Sequence, residues 1–202
     1  MTELKYTCLK CGSCCFINLS FLDADYIKRI PIYPEEVDRL IEIAKKRQIN
    51  LMVKEDLVFP DILNKKILVL TYRFILKDNG NCVFYDPKIG CTIHEIKPFA
   101  CQAYPLALKR IDAFNLEITI DSTCNWVEKH HNELKNIDYE KIKTIFSEGF
   151  KNAEAFLAKN KKLQLYIRRM EAENKMKIAR QISIEDFNLA LKNWNRDEIR
   201  VS

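Results

Sequence analysis

The sequence predicts an α+β fold, with a small β-rich cysteine core that binds metal and is packed with helices, followed by a helical C-terminal region. Three features support this prediction. Short strand-like runs fill the middle of the chain, apolar residues recur at intervals of three and four after residue 138, and all eight cysteines lie at or before position 124. We therefore expect a cysteine-cluster metal-binding domain over residues 1–125 and a helical extension over 126–202 that packs on it.

Cap residues mark the first two helices. The pattern that opens with Ser20 predicts a short helix over residues 20–30. Pro34 and the two glutamates after it predict a second helix that ends near residue 47, because proline suits the first helical position and acidic residues suit the positive end of the helix dipole. Residues 48–66 have no clear period.

The middle of the chain predicts short strands joined by turns. Residues 67–76, ILVLTYRFIL, are rich in β-branched and aromatic side chains and predict a strand. The Asn-Gly pair at 79–80 predicts a turn, followed by a short return strand over 82–85. Residues 93–98 predict a short helix or turn that ends at its proline. Two strand-like runs, residues 104–111 and 114–120, predict a hairpin around residues 112–113.

Helices are predicted from Asp138 onward. The apolar residues of 138–157 recur mostly at three and four, which indicates an amphipathic helix. A second helix is predicted around 163–178, after Asn160, and Ser183 resembles the capping residue of a third helix.

Composition limits the classes of function. The chain has 202 residues, of which 48% are hydrophobic, and has no apolar run of the length that a membrane span needs. Because its first ten residues lack the features of a secretory signal, we expect a cytoplasmic protein with no membrane partner. The net charge of +5 counts cysteines as neutral, and two four-thiolate metal sites would lower it to about +1. The basic excess therefore does not predict a nucleic-acid partner.

The cysteines are the strongest functional signal. Residues 8–15 read C-x2-C-x2-C-C, and the other four cysteines lie near predicted strands and turns. Because a reducing cytoplasm keeps thiols free, such density predicts metal ligands. Gly12 supplies the permissive backbone that a C-x2-C turn needs. Cys14 and Cys15 are adjacent, so we expect their side chains to diverge, either toward two sites or with one as a non-ligand. The candidate metal ligands are Cys8, Cys11, Cys14, Cys15, Cys82, Cys91, Cys101 and Cys124.

The spacing leaves the metal open. The third cysteine repeats the two-residue spacing of the first two, which favours an iron–sulfur cluster, most simply [4Fe–4S]. Such a cluster predicts a redox or electron-transfer role and an unidentified redox or protein partner. The alternative is a structural zinc module that acts in protein or substrate binding, because zinc accepts the same four-cysteine set. A third reading is disulfide pairing, as in intracellular proteins of hyperthermophiles. No nucleotide-binding or hydrolase motif decides whether the protein is an enzyme.

Two further residues lie among the cysteines. We expect His94, the only histidine in this region, to be a hydrogen-bonded surface or core residue rather than a metal ligand. Lys97 is either a charge that balances the thiolates or a solvated lysine.

The order of these motifs resembles a known family. C-x2-C-x2-CC, then GNCVFYDPKIGCTIHEIKPFACQAYP and a downstream cysteine, is similar to the cysteine-cluster family called YkgJ-like, over roughly residues 5–125. That family is described as a zinc- or iron-chelating domain and often labelled an Fe–S-cluster protein, which implies that the eight cysteines hold metal. The family's R-P-x-x-C-R-x-x-P has Lys97 and Gln102 in place of its arginines. The resemblance therefore implies that Lys97 keeps one cofactor-binding charge and that the other is lost.

Overall fold

The computed structural model describes residues 4–15, 30–112 and 114–201. Contacts between Cα atoms divide the chain into unit 1, Met1–Ile30 with Leu76–Leu157, and unit 2, Pro31–Ile75 with Ala158–Ser202. Both units contain helices and short strands, which confirms the predicted α+β class. Within the described residues, no helix combines the length and the apolar character that crossing a bilayer requires.

Helices and strands are labelled in chain order. The helices are α1 (Pro34–Lys46), α2 (Phe99–Ala103), α3 (Asn125–Lys129), α4 (His131–Leu134), α5 (Tyr139–Ile145), α6 (Ser147–Ala172) and α7 (Ile184–Asn193). The strands are β1 (Val53–Asp61), β2 (Lys66–Phe74), β3 (Tyr85–Asp86), β4 (Gly90–Cys91), β5 (Leu106–Arg110), β6 (Leu116–Ile120) and β7 (Asn195–Glu198).

Unit 2 is built on a three-stranded sheet of order β1-β2-β7, in which β2 is antiparallel to β1 and parallel to β7. The predicted helix from Pro34 and the predicted strand within 67–76 are confirmed as α1 and β2. Strand β1 occupies part of residues 48–66, where the sequence shows no clear period and no element was predicted. The apolar and charged residues of β1 do not alternate clearly, so no strand pattern is visible in its sequence. Pro60 is tolerated in this strand because β1 lies at the edge of the sheet.

The division into units follows strand pairing. Strand β7 near the C-terminus pairs with β2, so residues 31–75 and 158–202 belong to one unit. The boundary predicted after residue 125 lies within unit 1, inside α3. As a statement about independent domains, that boundary stays a prediction.

Unit 1 carries all eight cysteines and two small antiparallel sheets, β3-β4 and β5-β6. The hairpin predicted around residues 112–113 is confirmed as β5-β6, with Leu106 opposite Ile120. The short helix predicted over 93–98 is confirmed as a 3₁₀ helix, His94–Ile96. Buried aromatic and aliphatic side chains from α3, α5 and α6 form the hydrophobic core of this unit.

The return strand predicted over residues 82–85 is wrong. The Tyr85 N–H donates to the Cys82 carbonyl at 3.0 Å, so this segment is a turn, and β3 begins only at Tyr85. The turn also brings the N–H of Phe84 to the Cys82 sulfur. In a straight strand that amide would lie in the plane of the sheet, whereas the Cys82 side chain would project out of the plane.

The predicted 138–157 helix is divided by the structure. Asp138 caps α5 by accepting from the Lys141 N–H at 2.8 Å, and the helix is interrupted at Phe146. Helix α6 then continues through Asn160, where a break was predicted. Although Asn160 lies inside the helix, its side-chain oxygen has a hydrogen-bond donor, the Tyr33 hydroxyl at 2.9 Å.

The last predicted helix is confirmed as α7, where the Ser183 hydroxyl accepts from the Asp186 N–H at 3.0 Å. The helix predicted over 20–30 lies outside the described residues, apart from its last position.

Candidate metal centre

A tight turn at residues 11–15 presents two thiols side by side. The Cys15 N–H donates to the Gly12 carbonyl at 2.7 Å, and Gly12 adopts the left-handed conformation at φ 84°. The sulfurs of Cys14 and Cys15 lie 3.7 Å apart. The expectation that these adjacent side chains diverge is therefore wrong, since both sulfurs occupy the same neighbourhood.

Five thiols converge around this turn. The Cys15 thiol hydrogen-bonds with those of Cys14, Cys82 and Cys91. The Cys82 N–H donates to the Cys15 carbonyl at 2.7 Å, which ties the two cysteine segments together. Cys101, on α2, lies close enough to Cys14, Cys82 and Cys91 for their charges to act on it. We call these five residues the Cys15 group.

Hydrogen bonds inside the Cys15 group separate the thiol pKa values. Hydrogen bonding with Cys14, Cys82 and Cys91, with burial in addition, raises the pKa of Cys15 far above its ordinary value. The single S–H of Cys15 is shared between Cys82 and Cys91, and this hydrogen bonding lowers the pKa of Cys82, against the effect of burial, and lowers that of Cys91 to about 6. Burial raises the pKa of Cys101. The group therefore keeps protons on Cys15 and Cys101 and favours negative charge on Cys82 and Cys91.

Backbone amides support the two sulfurs that favour negative charge. The Phe84 N–H donates to Cys82 and the Ile93 N–H donates to Cys91, each from two residues further along the chain. The charges of Lys97 and Lys10 also lower the pKa of Cys91. Amide donors and nearby cations of this kind orient metal-binding thiolates and tune the bound metal.

Two glycines allow the segments of the site to approach closely. A Cβ on Gly12 would lie 2.3 Å from the Tyr85 ring, whose hydroxyl donates to the Cys11 carbonyl at 3.3 Å. A Cβ on Gly90 would lie 2.5 Å from the Lys10 carbonyl oxygen. Both glycines also have positive φ, so an alanine at either position would be strained as well as crowded.

Cys8, Cys11 and Cys124 have other contacts. The Tyr6 hydroxyl hydrogen-bonds with the buried Cys124 thiol, and burial, followed by the charges of Cys124 and Cys8, raises the pKa of Tyr6. The exposed Cys11 sulfur lies 3.3 Å from the Ser13 hydroxyl, which donates to the Asn125 side chain at 2.7 Å. No disulfide joins any of the eight cysteines, all of which lie within the described residues.

Lys97 and His94 lie on the segment between Cys91 and Cys101. The charge of Lys97 acts on both Cys91 and Cys101, and opposes the effect of burial at Cys101. The Nδ1 of His94 lies 3.3 Å from the Glu95 carboxylate, in agreement with the expected hydrogen-bonded histidine. Its Nε2 is buried and has no hydrogen-bond partner among the described residues.

The donor set of the Cys15 group suits a soft metal. Across residues 4–15, 30–112 and 114–201, no three His, Cys, Asp or Glu side chains stand in closed metal-ligand geometry. The thiols are in hydrogen-bonding contact with one another, and protons are favoured on Cys15 and Cys101. Metals bind thiolates, so loss of the protons on Cys15 and Cys101 would convert this cluster into a ligand set for zinc or an iron–sulfur cluster.

Several supporting residues have no sequence signal. Tyr6, Ser13 and Tyr85 reach the cysteines from irregular segments or from a two-residue strand, where no periodicity marks them. Lys10 and Ser13 are the residues that the motif itself could have indicated, because they lie between its first three cysteines.

The comparisons with known proteins agree with this chemistry. The model of a family described as "CxxCxxCC: Putative zinc- or iron-chelating domain" matches residues 7–128, which include every cysteine. No curated protein and no solved structure matches the chain.

Proposed function

Because the chain belongs to the CxxCxxCC family of zinc- or iron-chelating domains, we propose that its thiolates hold an iron–sulfur cluster, most simply one [4Fe–4S], and that the protein transfers electrons to or from a partner. Metal chelation is the family's property. The iron–sulfur cluster and the redox role are the finer proposal for this chain.

The observation that carries the proposal is the convergence of five thiols in the Cys15 group. A [4Fe–4S] cluster and a mononuclear zinc each take four thiolates, so five converging thiols supply a complete ligand set for either, and the choice of the cluster follows the C-x2-C-x2-C spacing that ends at Cys14. The remaining cysteines, Cys8, Cys11 and Cys124, would then form a second site or stay partly free.

The chain's own residues would set the electronic properties of such a centre. When bound, an iron–sulfur cluster supplies one-electron transfer. The amides of Phe84 and Ile93 would stabilise the charge on their sulfurs, and Lys97 and Lys10 would offset part of it. Both effects favour the reduced, more negative state and so raise the reduction potential.

A structural zinc site is the second candidate, and one distance favours it. Four sulfurs at about 2.3 Å from a tetrahedral zinc lie about 3.8 Å from one another. The 3.7 Å between the sulfurs of Cys14 and Cys15 matches that separation. In a [4Fe–4S] cluster each cysteine binds a different iron, so neighbouring thiolate sulfurs lie farther apart.

The absence of disulfides among the eight cysteines, all of which lie in the described residues, supports a reducing compartment as the place of action. Thiols in mutual contact that have not oxidised are compatible with the cytoplasm, where reducing systems prevent disulfide formation. We extend the proposal to a cytoplasmic location on that ground.

Metal analysis of protein purified without oxygen tests the proposal. We expect a brown sample with broad visible absorbance and about four irons and four sulfides per chain, and bleaching of that absorbance by dithionite. A colourless sample with one or two zinc ions and no sulfide would refute the redox role and leave the structural zinc module.

A further inference from the structure

Two thiols of the Cys15 group lie on segments that a backbone hydrogen bond holds together. The Cys82 N–H donates to the Cys15 carbonyl at 2.7 Å, and the two thiols also hydrogen-bond with each other. Standard bond lengths then keep their Cα atoms within about 6.6 Å of one another. Disulfides span Cα separations of about 4.4–6.8 Å, so Cys15 and Cys82 can be bridged with little movement of the backbone.

The other thiols that contact Cys15 are less suitable partners. The Cys14 sulfur lies 3.7 Å away, but the Cα atoms of sequence neighbours are only about 3.8 Å apart across a trans peptide, which would strain a disulfide. The Cys91 thiol also hydrogen-bonds with Cys15, but among the described residues no backbone hydrogen bond joins Cys91 to Cys15. Cys15 and Cys82 are therefore the best-placed pair.

A disulfide between Cys15 and Cys82 would consume two of the five thiols of the Cys15 group. Cys14, Cys91 and Cys101 would remain, one fewer than the four thiolates that zinc or a [4Fe–4S] cluster takes. A bound metal would in turn hold both sulfurs as ligands and prevent them from bonding to each other. Metal binding and this disulfide therefore exclude one another.

We propose that the metal-free protein forms a disulfide between Cys15 and Cys82 when it meets a peroxide, and that this bond prevents metal binding until a dithiol reduces it. Peroxide would thus determine whether the metal centre can be refilled. The proposal depends on the Cys15 group being the metal site, as in the proposed function, and it holds for zinc as well as for an iron–sulfur cluster.

The reaction balances with one molecule of hydrogen peroxide. One of the two sulfurs attacks a peroxide oxygen, the O–O bond breaks, and a sulfenic acid forms. The second sulfur attacks the sulfenic sulfur, the S–O bond breaks, and the S–S bond forms. The sulfurs lose two electrons to the peroxide, whose oxygens leave as two molecules of water with the two thiol protons. A dithiol such as dithiothreitol reverses the change by thiol–disulfide exchange and is itself oxidised to a disulfide.

Peptide mapping of the full chain tests the proposal. Protein purified without oxygen is divided, and a chelator removes the metal from one part. Both parts are then treated with hydrogen peroxide, alkylated and digested with trypsin without reduction. Trypsin cuts after Lys10, Lys28, Lys77 and Lys88, so the expected disulfide links residues 11–28 to residues 78–88.

The two parts should differ. The metal-free part should yield the linked peptide with the loss of two hydrogens, and should bind metal again only after treatment with dithiothreitol. In the metal-loaded part, the fraction of linked peptide should match the fraction of metal released, because only a vacated pair of sulfurs is available to peroxide.

Serine variants assign the bond, because Cys11, Cys14 and Cys15 share one tryptic peptide. Cys15→Ser should lose the link to residues 78–88. Cys11→Ser is the matched control and should keep the link, since the exposed Cys11 sulfur contacts the Ser13 hydroxyl. Cys14→Ser should also keep it. Circular dichroism checks that each variant folds, and fragmentation of the wild-type linked peptide assigns the bond if a variant does not.

Each outcome has a distinct meaning. If the metal-free protein forms no linked peptide, or links residues 11–28 to the peptide that carries Cys91 and Cys101, the proposal is overturned and the proposed function is unaffected. A linked protein that still binds its full complement of metal would refute the Cys15 group as the metal site, and the proposal with it. The expected link in a zinc protein without sulfide would support the proposal and refute the electron-transfer role alone.

Discussion

Replacing Gly12 with alanine should destabilise the protein and its metal site together. Left-handed backbone costs about 1–2 kcal/mol for a residue with a Cβ. The new Cβ would lie 2.3 Å from the Tyr85 ring, so the ring must move and would lose its hydrogen bond to the Cys11 carbonyl, worth about 1 kcal/mol. The expected loss is therefore about 2–3 kcal/mol in the free energy of unfolding.

Gly149→Ala is the matched control for this prediction. Gly149 lies in α6, and its added Cβ would meet the Ala103 carbonyl oxygen at 3.6 Å, an ordinary contact. Alanine should stabilise the helix by about 0.5–1 kcal/mol. Urea unfolding followed by circular dichroism, with metal per chain measured on the same samples, compares the two variants. A Gly12→Ala protein with wild-type stability and metal content would refute the reasoning.

Three further changes have definite expected outcomes. Cys91→Ser removes a thiol of the Cys15 group and should weaken metal affinity by about tenfold or more, whereas Cys11→Ser should leave metal in that group. Asp138→Ala removes the cap of α5 and should cost about 1 kcal/mol in unfolding free energy. Arg180 lowers the pKa of Glu171, so Glu171→Gln should be less stable than wild type near neutral pH.

The sign of the Glu171 effect follows from linkage. A carboxylate with a lowered folded-state pKa stabilises the protein above its unfolded pKa, and this contribution is lost as pH falls through the folded value. The stability gap between wild type and Glu171→Gln should therefore close in acid, and a gap independent of pH would contradict the ion pair. Metal loss in Cys11→Ser equal to that in Cys91→Ser would contradict the grouping of thiols. An unchanged Asp138→Ala protein would show that the cap contributes nothing.

Strong local signals predicted much of the fold. Pro34 with its acidic neighbours located α1, and the apolar run at 67–76 located β2, because cap chemistry and β-branched side chains act locally. Strands β1 and β7 were not predicted. Both are rich in charged residues, and β7 depends on pairing with a strand more than a hundred residues away, which a local pattern does not encode.

The candidate site, like the fold, was predicted only in part from the sequence. The cysteines and Lys97 were identified from spacing and family resemblance, since thiols this dense indicate metal chemistry wherever the chain folds. The proximity of the Cys14 and Cys15 sulfurs was not predicted, because it depends on the left-handed turn at Gly12. The unpaired Nε2 of His94 was also missed, since only tertiary packing buries that atom.

Mapping thiol protection tests the central claim most directly. Protein purified without oxygen is alkylated before and after treatment with a chelator, and mass spectrometry identifies the modified cysteines. We predict that the chelator makes Cys14, Cys15, Cys82, Cys91 and Cys101 newly reactive, while the exposed Cys11 reacts in both samples. If the chelator leaves the reactivity of these five thiols unchanged, the Cys15 group does not hold the metal and the account is wrong.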